Sequence, residues 1–105
     1  MCRMFAQQSP ERYAYQTRSI RIGGHCTSIR LENVFWGILE EIAAKEGSSV
    51  ARFVTTLYDE VLLHHGDVHN VASLLRCSCL LYMTNADTRR DEDAMSGVPI
   101  MMAAE

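Results

Sequence analysis

Cys26, Ser28 and Arg30 fall on alternate positions of one short stretch. In an extended strand alternate side chains point to one side, so these three share a face and Thr27, Ile29 and Leu31 share the other. The planar fork of Arg30 can make two parallel hydrogen bonds to one pair of acceptors. Ser28 donates or accepts, and the Cys26 thiol is a poor hydrogen-bonding group. Arg30 also belongs to a basic end. Residues 1–30 carry Arg3, Arg12, Arg18, Arg21 and Arg30 against Glu11 alone, a net +4, whereas residues 31–105 carry −7 and the whole chain −3. That asymmetry suits an anionic partner docking at the strand end and little elsewhere.

Other chemistry finds little support. His64 and His65 are adjacent, so they cannot face one helical site, and His65 and His69 straddle Gly66; His25 stands apart. No metal site is expected from them. Glu40-Glu41 and Asp59-Glu60 read as wet helix faces, no glycine-rich phosphate loop precedes a helix, and nothing gathers Ser, His and Asp together. Neither an enzyme nor a cofactor is expected. Cys77-Ser78-Cys79 is not a metal pair, because residues two apart on a helix point about 200° from each other. Met1–Ala14 lacks the apolar centre of a secretory leader, and no apolar run approaches the ~18 residues a membrane span needs. The chain is therefore expected in the cytoplasm, off the membrane, with Cys2, Cys26, Cys77 and Cys79 reduced.

At 105 residues the chain fits one small domain. Residues 1–17 read as an irregular arm around Ser9-Pro10. Arg18–Ile22 alternates as a strand, and Gly23-Gly24 separates it from a second strand over Thr27–Leu31. The Gly-Gly step is either a hairpin turn or a bend that sends the first strand elsewhere. A first helix is predicted from Glu32 or Asn33, with Asn33 as N-cap and Phe35, Ile38, Leu39, Ile42 and Ala43 as its buried stripe. Trp36 lies off this stripe. Gly47 suits the C′ position. A second helix opens at Ser48 or Ser49 and runs to about His64, with Val50, Phe53, Val54, Leu57, Tyr58 and Val61 as its stripe. Asn70 caps a third helix, whose stripe is Val71, Leu74, Leu75, Ser78, Leu81 and Tyr82. Residues 85–105 read as a flexible tail.

This layout of strand, helix, Gly47-Ser48-Ser49-Val50 and helix resembles the ribbon-helix-helix family of DNA-binding proteins. A bacterial subfamily of small ribbon-helix-helix proteins is closer still. The likeness rests on Met1-Cys2 with Phe5, Thr17-Arg18-Ser19, Thr27–Glu32, Phe35-Trp36, Leu39–Ile42, and Arg76 with Cys79. It covers roughly residues 1–84. It implies a mainly α fold with a short β-ribbon: an intertwined homodimer in which one strand per protomer pairs antiparallel over a shared four-helix core. Here an extra N-terminal strand and a third C-terminal helix are added, the domain spanning residues 18–84.

The resemblance implies a transcriptional regulator whose ribbon enters the DNA major groove. Arg30, Ser28 and Cys26 are then the base-contacting positions, Arg30 to a guanine edge. Cys26 departs from the long polar side chain usual in the family there. Phosphate contacts are expected at the start of the second helix, from Ser48, Ser49 and Val50, where open N–H groups meet an anion. Arg18 and Arg21 join them if residues 18–22 form a loose arm; if those residues pair beside the ribbon, the sheet widens to four strands per dimer, too broad to enter as a plain ribbon, and groove entry is kept or blocked by which way the extra strands splay. The alternative is a dimeric protein-interaction module, antitoxin-like in one form, that has lost DNA recognition and binds a protein through the third helix or the tail.

Overall fold

The computed structural model describes residues 2–95, the last ten as backbone only. Two short helices, α1 (Cys2–Ala6) and α2 (Pro10–Tyr13), lead into strands β1 (Tyr15–Ile22) and β2 (His25–Glu32); helices α3 (Asn33–Lys45), α4 (Val50–His65) and α5 (Val71–Met95) follow. The arm is thus partly helical, and β1 begins three residues before the predicted strand. Helix α5 continues past Asn85 into the stretch expected as tail, and residues 96–105 lie outside the described residues.

The strands form an antiparallel hairpin within one chain, with Ile22 opposite His25 and Tyr15 opposite Glu32. Gly23 and Gly24 close it with φ of 60° and 84°. Two successive positive φ angles define the turn whose twist matches that of the flanking strands, and glycine adopts them without steric cost. The bend alternative and the loose-arm alternative for residues 18–22 are thereby excluded. Cys26–Leu31, expected to pair with its own copy, instead completes its bonding on one side with β1 of the same chain.

One face of the hairpin is apolar and the core sits against it. Ile20, Ile22, Ile29 and Leu31 are buried against Trp36, Leu39 and Ile42 of α3, Val54 of α4, and Leu75 and Cys79 of α5. Each buried Ile, Leu and Val side chain among these contributes roughly 1.5–3 kcal/mol through area removed from water. Trp36 is at the centre of this core, only 1% exposed, whereas Phe35 and Ile38 are half-buried. The α3 stripe is therefore rotated from the predicted one. The cause is polar as well as apolar: the indole N–H donates to the Gln16 carbonyl at 2.8 Å, which draws the ring under β1.

Helix boundaries follow local chemistry. The Ser48 N–H donates to the Ala43 carbonyl and the Gly47 N–H to the Ala44 carbonyl, the Schellman arrangement, with Gly47 at φ 66°. Ser49 caps α4 by accepting from the Arg52 N–H, and Asn70 caps α5 by accepting from the Ser73 N–H. Asn33 does not cap α3. Glu32 holds that position, and the Asn33 side chain instead donates to the Glu11 carbonyl, tying the arm to the helix. Helix α5 is docked on α3 and β2 by Arg76 to Glu32 at 3.0 Å and Tyr82 to Glu41 at 2.8 Å. This docking buries Leu75 and Cys79 and leaves Leu81, assigned to the stripe from sequence, 61% exposed.

Candidate nucleic-acid interface

The register fixes what the other face of the hairpin presents. Residues directly opposite in an antiparallel pair point to the same side. Leu31, Ile29 and Thr27 lie opposite Gln16, Arg18 and Ile20, so these look toward the helices; Arg30, Ser28 and Cys26 lie opposite Thr17, Ser19 and Arg21, and look away. All six of the latter are exposed. The three expected base-contacting residues therefore do share an open face, extended by Tyr15 and Arg21.

Arg30 on this face lies over the Tyr15 ring, its guanidinium carbon 4.1 Å from the centroid, and makes no ion pair among the described residues. Stacking occupies the guanidinium face and leaves its edge donors free. Glu32, the carboxylate at the strand end, is engaged with Arg76. A bond from its own backbone N–H holds the Glu32 carboxyl below the ordinary carboxylate range; partial burial opposes this, and Arg76 adds to the lowering. At pH 7 the carboxylate thus stays ionised and paired. On the core side, burial pushes the Cys79 thiol up to about 11, which keeps it neutral and unreactive.

Arg18 is placed differently from the expectation. It points to the helix side, stacks on Trp36 at 4.6 Å and donates to Glu40 at 2.8 Å. With its charge paired and its side chain turned inward, it is not available to a phosphate on the outer face. Arg21 does remain with the start of α4. The two line a cleft of about 500 Å³ with Ser49, Arg52, Thr55 and Asp59. The Thr55 hydroxyl donates to the Arg21 carbonyl at 2.8 Å, which fastens α4 to the outer edge of β1. In the first turn of α4 the Ser49 hydroxyl already accepts from Arg52, so Val50 and Ala51 carry the open N–H groups among the described residues. The Ser48 hydroxyl donates to the Ser49 carbonyl.

Sequence reasoning missed Arg52 and Tyr15. Arg52 sits three residues past the cap, a spacing that puts it in the first helical turn. Tyr15 becomes visible only once the Gly23-Gly24 turn is known to pair β1 with β2.

The edge of β2 away from β1 is open. The Asn33 N–H bonds the Ala14 carbonyl, so in the alternating ladder the N–H and C=O of Cys26, Ser28 and Arg30 aim away from β1. No other strand meets them among the described residues. Among the described residues, likewise, no group of three His, Cys, Asp or Glu side chains is placed to hold a metal, and no helix is long and apolar enough to cross a membrane.

Comparison with known proteins agrees with this architecture. The family model described as "Ribbon-helix-helix domain" matches residues 15–83. A solved structure, that of an uncharacterized protein from Bordetella pertussis Tohama I, is 37% identical to this chain; the match has a TM-score of 0.81 and covers 94% of this chain and 90% of that one. No curated protein matches. A hairpin with one apolar and one polar face, the capped α3–α4 step and a family match running from the first residue of β1 into α5 lead to one assignment: the chain belongs to the ribbon-helix-helix family, a non-enzymatic DNA-binding fold.

Proposed function

We propose that the chain is a sequence-specific transcriptional regulator that binds DNA as a homodimer through the outer face of its β1–β2 hairpin. The observation that carries this reading is the contrast between the two faces. The inner face is filled with core side chains, while the outer face offers Arg30 with no carboxylate partner among the described residues, beside exposed Ser28 and Cys26.

Two features support a dimer. The open edge of β2 is a row of backbone groups needing partners, and a second copy supplies them across a twofold axis. The α4 stripe is also incompletely covered, with Val54 fully buried but Phe53, Leu57 and Val61 only half-buried. A second copy covers such a stripe. The resulting sheet has the order β1-β2-β2-β1. At about 4.8 Å per strand its outer backbones are about 14 Å apart, against a major groove about 12 Å wide. Strand twist of roughly 20–25° per step skews the outer strands across the central pair, so the sheet approaches the groove along the twofold axis between the two β2 strands. The two β2 strands then go deepest, with Arg30, Ser28 and Cys26 toward base edges. Arg21, Arg52, the hydroxyls of Ser48 and Ser49, and the N–H groups of Val50 and Ala51 lie toward the phosphates.

The test is selection of bound duplexes from a random DNA pool by the full chain, with stoichiometry by sedimentation. The expected result is a pseudo-palindromic site bound by two chains, with affinity falling steeply with salt. A second reading is favoured by Leu80 and Leu81, 59% and 61% exposed on α5. A chain that dimerises but enriches no duplex is a protein-interaction module on the same fold.

A further inference from the structure

We infer that Tyr15 is a positioning residue for Arg30, and so sets how sharply the hairpin discriminates among DNA sequences. The inference rests on the DNA-binding reading above. Tyr15 lies opposite Glu32, and Arg30 lies opposite Thr17, so the two side chains are diagonal neighbours on the outer face. Diagonal positions are within reach for an aromatic ring and a long side chain. The guanidinium carbon stands 4.1 Å from the ring centroid, at stacking distance.

The backbone that carries the ring is itself held in place. The Asn33 N–H donates to the Ala14 carbonyl at 2.9 Å, the Asn33 side chain to the Glu11 carbonyl at 2.9 Å, and the Trp36 indole to the Gln16 carbonyl at 2.8 Å. These bonds fasten the backbone before and after Tyr15 to α3. The ring is 53% exposed and lies outside the buried core. Its observed contact is with Arg30. An unstacked arginine on an open face samples many rotamers and loses that freedom on meeting a base. A guanidinium already resting over a ring loses less, and Arg30 remains on the exposed face. The device sharpens Arg30 without touching DNA itself.

Tyr15 is tested with the full-length chain and the duplex selected above, beside a duplex changed at the guanine assigned to Arg30. Tyr15→Val is expected to weaken binding to the selected duplex roughly 5- to 30-fold, the size of an exposed cation–π contact made twice per dimer. It should also shrink the ratio between the two duplexes, with the dimer and the thermal midpoint unchanged. Tyr15→Phe, which keeps the ring face, should retain both. In an Arg30→Ala background Tyr15→Val should cost nothing more. Two results overturn the inference while leaving the DNA-binding reading intact: an unchanged ratio in Tyr15→Val, or an equal loss with and without Arg30, which would make Tyr15 a DNA contact in its own right. A wild-type chain that binds no duplex overturns both together.

Discussion

Arg18 and Arg30 stand on one hairpin, each with its guanidinium against an aromatic ring, yet their surroundings set them to different work. Arg18 faces the helices, lies on Trp36 and is closed off by Glu40 at 2.8 Å. Arg30 faces outward, lies on Tyr15 and has no carboxylate partner among the described residues. The inner stack ties β1 to α3, and the outer stack leaves a charge exposed on a rigid face. Strand parity separates them: Arg18 lies opposite Ile29, and Arg30 opposite Thr17. What an arginine does in this protein is decided by its side of the sheet and by whether a carboxylate reaches it.

The contrast can be tested from the inside first. Trp36→Ala removes the inner ring, opens the core and leaves the Gln16 carbonyl without its indole partner; a loss of about 4 kcal/mol is expected in urea unfolding followed by circular dichroism. Next comes the outer charge. Arg30→Ala should weaken binding to the selected duplex by about 1–3 kcal/mol for each arginine–guanine pair removed, while the urea midpoint stays essentially where it is. Arg18→Ala should do the reverse. Its half-exposed ion pair and stack stabilise the fold by about 1 kcal/mol, and the salt slope of DNA binding should not change.

The smallest effect concerns pH. The Glu32 carboxyl is held below its unfolded value, so the unfolded chain binds more protons on acidification. Its contribution is present above the ordinary carboxylate range and fades as pH falls through the lowered folded value. Glu32→Gln should therefore flatten the acid limb of a stability–pH curve and leave the neutral plateau only slightly lower. An unaltered acid limb would assign that slope to other carboxylates.

Much of this was legible in the chain because alternation and capping are local. The period-two pattern through Thr27–Leu31 placed Arg30, Ser28 and Cys26 on one face, and Gly47, Ser49 and Asn70 marked helix ends where the structure has them. Long-range choices were not legible. Trp36 lies off the apolar stripe by spacing, yet the Gln16 carbonyl turns it inward. Asn33 has the chemistry of a cap and spends it on the Glu11 carbonyl. Arg18 belongs by composition with the other arginines of a basic end, but Glu40, twenty-two residues away, claims it. In each case the deciding partner comes from another element, and no window of sequence contains both.

DNA recognition as proposed depends most on Arg30 being the side chain through which the hairpin reads the duplex. The direct measurement is the affinity of wild-type and Arg30→Ala chains for the selected duplex across a salt series, with dimer content checked at each point. A steep linear fall of log affinity with log salt is predicted for the wild type, with the substituted chain, which loses two such pairs per dimer, weaker by about 30-fold or more throughout. Equal binding by the two chains, or binding indifferent to salt, would contradict it.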